Sequence, residues 1–285
     1  MKEFYSAYYA AIEHSQAHHL FCERVFGIDL GQHGFADAQQ LDLLMQVSAL
    51  DATRRVLDLG CGDGRIAEYL SDCTGACITG LDYADMAIRL AQTRTRSKAE
   101  RLNFITGDIN HLELPHNAFD VILSIDTMYF SENYSATIRV LKDALKPGGQ
   151  LAIFFSHGRE PWVPKEQFPC ETLPPDKTPL AQALIANGLA FRTWDLTRRD
   201  YELACLRKQI LAELEAQFDA EGMRFIYENR MGDAKGIAQA IEERLHARYL
   251  YLAVTDCTLE GISNDPHRHF ASRHNGHIHR AVRAT

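Results

Sequence analysis

The sequence predicts an α/β protein built on a seven-stranded, mostly parallel, doubly wound sheet, and three observations carry that prediction. First, an apolar run at 55–59 breaks into glycines at alternating positions, Gly60, Gly62 and Gly64, and helical periodicity resumes at Ile66. A strand that turns sharply through glycines into a helix is the βα unit of a parallel sheet. Second, short apolar runs at 77–82, 102–108, 119–124 and 150–156 alternate with helical patterns at 84–95 and 134–145. Third, Lys146-Pro147-Gly148-Gly149 follows the last periodic residue of its helix, which is how a helix is stopped before a new strand.

The remaining elements follow in order. Residues 1–50 read as a helical, aromatic extension (Phe4, Tyr5, Tyr8, Tyr9, Phe21, Phe26) interrupted by the short loop Gln32-His33-Gly34-Phe35. It precedes the first strand, so it either covers the ligand edge of the sheet or completes the core. The proline-rich stretch 157–179 reads as a loop over that edge. After a helix at 180–187 and a strand at 189–196, two helices at 201–220 and 234–245, linked by 222–232, precede a last strand at 248–255. They form a helical lid inserted before that strand. The expected division is an N-terminal cap at 1–50, a main domain at 51–257 with the lid insertion at 198–247, and a flexible tail at 258–285. The tail is rich in His and Arg (His267, His269, His274, His277, His279) without ligand spacing, and its deletion from 264 onward is expected to leave stability unchanged.

Composition narrows the function. At 285 residues with 46% hydrophobic and 24% charged residues, the chain is long enough for a large core and is ordinary in balance. A formal net charge of −8 argues against a general nucleic-acid binder, whose affinity rests on many phosphate contacts. Seven scattered cysteines fit reduced thiols of a cytoplasmic protein, and neither a bilayer-length apolar run nor a signal-peptide pattern is present. No membrane partner is expected, no metal ligand set is read, and self-association is left open.

The glycine turn is the first chemical signal. Glycine there permits positive φ and a close approach of ligand to backbone. A dinucleotide fingerprint would place a small residue where Arg65 stands, so that reading fails. What stands instead is Asp58-x-Gly60-x-Gly62-x-Gly64. Asp82 closes the second strand twenty residues beyond Gly62, Asp108 follows Gly107 at the end of the third, and Ser124-Ile125-Asp126-Thr127 ends the fourth. Any one of these carboxylates suits a helix cap or a turn. Jointly, over residues 55–156, they resemble the motifs of class I S-adenosylmethionine-dependent methyltransferases of the small-molecule type.

That resemblance implies a cofactor site and a reaction. S-adenosylmethionine, with S-adenosylhomocysteine as product, would lie against Asp58, Gly60, Cys61 and Gly62. Asp82 and Tyr83 would meet the ribose, Gly107, Asp108 and Ile109 the adenine, and Ser124 the methionine part. Asp82→Ala is expected to weaken cofactor binding with little effect on folding. His33, Asp126, Tyr129 and His157 are candidate catalytic residues if the acceptor must lose a proton; each alternatively has a structural role. The aromatic cover residues either line an acceptor pocket or pack the lid, and Arg159, Lys165, Arg198, Arg199 and Arg230 either meet an anionic substrate or are solvated. The absence of an Asn/Asp-Pro-Pro-Tyr/Phe motif at 124–127 argues against transfer to DNA bases or glutamine. The expected function is methyl transfer to a small molecule by in-line displacement. A tRNA or protein methyltransferase and a non-catalytic S-adenosylmethionine-binding protein are the alternatives.

Overall fold

The computed structural model describes residues 2–160 and 162–255, and the tail expected at 258–285 lies outside them. Seven strands make one sheet: β1 (Arg55–Leu59), β2 (Cys77–Asp82), β3 (Leu102–Thr106), β4 (Phe119–Ile125), β5 (Leu145–Gly158), β6 (Ala190–Asp195) and β7 (His246–Val254). Their order is β3-β2-β1-β4-β5-β7-β6, with β7 antiparallel to both neighbours and the other pairs parallel. The predicted seven-stranded, mostly parallel sheet is therefore present, and its one reversed strand among the described residues is β7.

Nine α-helices are described: α1 (Lys2–Ile12), α2 (Gln16–Phe26), α3 (Ala38–Val47), α4 (Arg65–Thr74), α5 (Asp85–Arg94), α6 (Tyr134–Ala144), α7 (Pro179–Ala186), α8 (Thr197–Ala220) and α9 (Arg224–Glu242). Alternation along the strands divides the core. Val56, Ile78, Phe104, Val121, Leu123 and Phe154 face α3, α4 and α5. Leu57, Leu81, Ile122, Leu151, Ile153 and Tyr251 face α6 and α7. Helix starts are fixed by side chains that satisfy orphan N–H groups: Asp37 accepts from Gln40 N, Asn133 from Ala136 N, and Thr178 from Ala181 N with Pro179 in the first turn.

A third core lies above the carboxyl edge of the sheet. It joins Tyr8, Phe21, Val25 and Phe26 of the N-terminal helices to Leu203, Ile210, Leu211, Phe218 and Ile226 of the lid, with Ala84 and Ala87 beneath. The N-terminal segment and the lid are thus one packed unit.

Four expectations change. The lid link is three residues, because α9 begins at Arg224 and runs through Gly232, whose glycine is exposed and carried by the flanking turns. Helix α8 starts earlier, at Thr197. Lys146–Gly149 is not a loop outside the sheet but a bulge within β5. Pairing passes from Phe119↔Leu145 to Val121↔Gln150 across it, with Gly148 at φ 75°. Finally, the 157–179 loop does not lie over the ligand edge. It packs against β7, where Tyr249 donates to Leu173 O (3.0 Å) and Tyr251 to Pro175 O (2.7 Å).

Candidate active site

The carboxyl ends of β1, β2 and β4 open into a cavity of about 300 Å³ roofed by α1 and the 32–34 loop, the place where open α/β sheets bind ligands. Its floor is the glycine turn. Gly60, Gly62 and Gly64 have φ of 78°, 55° and 76°, so side chains are excluded first by backbone conformation. A Cβ on Gly62 would also sit 2.3 Å from the Tyr9 hydroxyl. Gly60 N–H and Cys61 N–H donate to Leu81 O (2.7 and 3.1 Å), which fixes the turn onto β2.

Asp82 holds two walls together. One carboxylate oxygen accepts from Gly62 N–H and the other from Ala84 N–H, each at 2.9 Å. Burial raises its pKa, against the pull of these backbone donors. Asp58, 2% exposed, has no hydrogen-bond partner among the described residues and lines the cavity. Burial, then the charge of Asp82, pushes its pKa up to about 7. Asp108 lines the far end, accepting from Asn110 N–H at 2.9 Å.

Arg65, the residue that breaks the dinucleotide fingerprint, binds Asp63 (2.9 Å) in the turn and Glu13 (2.6 Å) just beyond α1. It ties the roof to the floor.

Among the expected cofactor residues, Asp58, Gly60, Cys61, Gly62, Asp82, Tyr83, Gly107, Asp108 and Ile109 line the cavity, and Ser124 does not. Ser124 is buried in β4 with an unpartnered hydroxyl, one residue before Ile125, which takes the lining position. The catalytic candidates separate further. His33 and Asp126 line the cavity; Tyr129 and His157 do not.

His157 donates or accepts at Thr172 Oγ1 (2.8 Å) and stacks on Phe155, on the α6–α7 side of the sheet. Alternation along β5 turns it away. Tyr129 belongs to a short 3₁₀ turn and packs on Phe130, which lines the cavity in its stead. Asp126 is left-handed (φ 56°) and spends both oxygens: it pairs with the Arg248 guanidinium (3.0 Å for the longer contact) and accepts from Phe35 N–H (2.7 Å). It docks the 32–35 loop onto the sheet and pairs with a permanent cation, a structural role. Close approach requires glycine at 34, where a Cβ would lie 2.8 Å from the Asp126 carboxylate.

His33 is surrounded by Phe4, Tyr5 and Tyr8, whose rings meet it edge-on. Burial, then the charge of Arg230, lowers its pKa to about 3, outweighing the Asn229 side chain, so the imidazole is neutral. Its Nε2 is buried without a partner.

The lid contributes residues that sequence reasoning missed or misplaced. Arg230, expected to be solvated if structural, is fully buried, donating to Tyr8 Oη and to the carbonyls of Gln32 and His33. Arg207 and Arg248 are also fully buried. The available signal was an arginine within an apolar helical stripe at 203–214 and another inside the apolar run 247–254.

Comparison with known proteins places the same segment. The family profile of a methyltransferase domain matches residues 56–149. Methyltransferase GfsG of Streptomyces halstedii is 33% identical over 126 residues, 44% of this chain and 44% of that protein. Sterol 24-C-methyltransferase of Pneumocystis carinii is 37% identical over 101 residues, 35% of this chain and 27% of that protein. Phosphoethanolamine N-methyltransferase 1 of Triticum aestivum is 32% identical over 149 residues, 51% and 29% respectively. The chain thus spans less than half the length of each.

Among solved structures, a Haemonchus contortus phosphoethanolamine N-methyltransferase 2, crystallised with S-adenosylhomocysteine, superposes with a TM-score of 0.69 at 19% identity. The match covers 82% of this chain and 56% of that one. The [4+2]-cyclase SpnF superposes with a TM-score of 0.59 at 22% identity, covering 75% and 79%. One fold therefore carries more than one chemistry, and only the site distinguishes them. With the sheet order found, the chain has the class I methyltransferase fold, and its segment 56–149 matches the methyltransferase-domain profile.

Proposed function

We propose that the protein transfers a methyl group from S-adenosylmethionine to a small-molecule acceptor. The observation that carries this reading is the convergence of Asp58, Gly60, Gly62, Asp82 and Asp108 on one cavity, with the Asp58 carboxylate facing it unpartnered. An orphaned carboxyl near neutrality fits a cationic ligand, and the glycine turn offers backbone rather than side chains. The motif-matched relatives act at a sterol carbon and at a phosphoethanolamine by their names, which supports small molecules as the acceptor class without selecting one.

When bound, the cofactor supplies an already electrophilic methyl on a sulfonium. The chain's task is to orient, to exclude water and to admit a nucleophile in line. Asp82 is proposed to take the ribose hydroxyls with its remaining lone pairs, Asp108 the adenine end, and Asp58 the cationic methionine end. Tyr5, Tyr9 and the 32–34 loop close the site against solvent. His33, neutral and with a free Nε2, is proposed to accept a hydrogen bond from the acceptor's nucleophilic group. Its low basicity suits orientation better than proton removal.

The test pairs binding with turnover. Calorimetric titration should show saturable S-adenosylmethionine binding, and incubation with metabolite fractions should release S-adenosylhomocysteine. Binding without release under any fraction would favour a non-catalytic binder; absence of binding would end the proposal. His33→Ala is expected to reduce transfer strongly while cofactor affinity stays within a few-fold. Unchanged transfer would remove His33 from the acceptor side.

A further inference from the structure

Three arginines, two on the lid helices and one on β7, are fully buried, and they are not equally satisfied. Arg248 is matched by Asp126. Arg230 is saturated largely by the neutral acceptors Tyr8 Oη, Gln32 O and His33 O, with only its Nε unpartnered. Arg207, on α8, differs. Both of its terminal nitrogens are buried with no hydrogen-bond partner, and its Nε makes one long contact to Leu203 O at 3.4 Å. Its nearest carboxylate, Asp200, lies 3.8 Å away, beyond hydrogen-bond range, and Asp200 gives its other oxygen to His246 at 3.1 Å. Buried polar groups are nearly always paired, and an unmatched guanidinium fork is among the costliest exceptions.

Arg207 and Phe35 do not themselves line the cavity, but they sit directly behind the loop that does. Its guanidinium lies 4.6 Å from the centre of the Phe35 ring. Phe35 directly follows Gln32, His33 and Gly34, all of which line the cavity. Three more buried atoms without partners, Gln32 Nε2, His33 Nε2 and Asn229 Oδ1, belong to that loop or lie beside it. Three permanent cations are offset by two contacting carboxylates, Asp126 and Asp200. The next carboxylate, Asp233 of α9, is held toward its neutral form by burial, although Arg230 and Arg207 pull the other way.

We propose that Arg207 binds an anionic group, a carboxylate or a phosphate, carried by the methyl acceptor. The proposal rests on the reading of the site as a methyltransferase and specifies its acceptor. A planar fork whose two terminal nitrogens have no hydrogen-bond partner matches either anion bidentately. The Phe35 ring covers Arg207 on the side of the 32–34 loop and shifts when the anion arrives. The acceptor would then span from His33, where its nucleophile is held, to Arg207 at its acidic end.

The experiment uses the full chain saturated with S-adenosylhomocysteine, titrated with inorganic phosphate and, separately, with acetate, and followed by calorimetry. Binding of at least one anion is expected, and it identifies the acidic group preferred. Arg207→Met should weaken that binding roughly tenfold or more, Arg207→Lys less, and Arg224→Met, the same charge change on an exposed lid arginine, not at all. Phe35→Ala should tighten binding by removing the ring that covers Arg207. Circular dichroism verifies that each variant is folded; if Arg207→Met is not, the lysine and Phe35 variants decide. Failure of the wild type to bind either anion, equal binding by wild type and folded Arg207→Met, equal weakening in Arg224→Met, or no response to both Arg207→Lys and Phe35→Ala would overturn the proposal. Loss of S-adenosylhomocysteine binding itself would overturn the methyltransferase reading instead.

Discussion

Asp58 and Asp82 lie on neighbouring strands and face different fates. Asp58 has a folded pKa near 7 against an ordinary 3.8. Between those values only the unfolded chain releases the proton, so the empty protein loses this share of its stability as pH rises through that window. A cationic ligand prefers the ionised carboxyl. Cofactor affinity is therefore expected to climb as pH rises through about 7, and Asp58→Asn to flatten the slope; calorimetry across that range checks both. Asp82→Ala should cost cofactor binding roughly 1.5–3 kcal/mol for a lost charge-assisted hydrogen bond. It should also lower the melting temperature, contrary to the sequence expectation, because Gly62 N–H and Ala84 N–H lose their acceptor. An unchanged dissociation constant would remove Asp82 from the ribose site. Asp82, Asp108 and the glycines were legible because fixed chemistry at strand ends leaves fixed spacing. Arg207, Arg230 and Arg248 were not, since a charged residue in an apolar stripe declares its burial only when its partners, far away in sequence, are known.

At the level of elements, the first and last parts of the cap are joined by one carboxylate. Glu221, just past α8, accepts from Ala17 N–H (3.0 Å) at the start of α2 and from the Ser15 hydroxyl (2.7 Å). It acts as a second N-cap supplied from about two hundred residues away. Glu221→Ala should destabilise by roughly 0.5–2 kcal/mol, the range of lost caps, with faster hydrogen exchange confined to the first turn of α2. Uniform exchange in both proteins would reduce the contact to surface decoration. The strands and sheet-packed helices were readable from periodicity. The extent of α9 was not, since Gly222 and Gly232 look alike in sequence; the first ends a helix at φ 70° and the second lies within one. The 157–179 loop was misplaced because proline content marks irregular chain without saying which surface it crosses.

Over the whole molecule, the cap and lid share a core of their own, so the cavity is closed by a unit that must loosen as one. Phe218 is fully buried in that core and does not line the cavity. Phe218→Ala should cost roughly 3–5 kcal/mol of local packing and accelerate cofactor dissociation, measured by stopped-flow displacement, while the sheet keeps its far-UV signature. Unaltered dissociation would mean that ligands pass without disturbing the cap.

The lid and the end of β4 together grip the 32–35 loop by its main chain. Arg230 takes the carbonyls of Gln32 and His33, and Asp126 takes the Phe35 amide. Such a grip is blind to side-chain identity, since every residue presents the same carbonyl and, proline aside, the same amide. Positions 33 and 35 are accordingly open to replacement without unfastening the closure, which makes them the natural place for acceptor preference to drift between descendants of one scaffold, and the first place to randomise when a new acceptor is wanted.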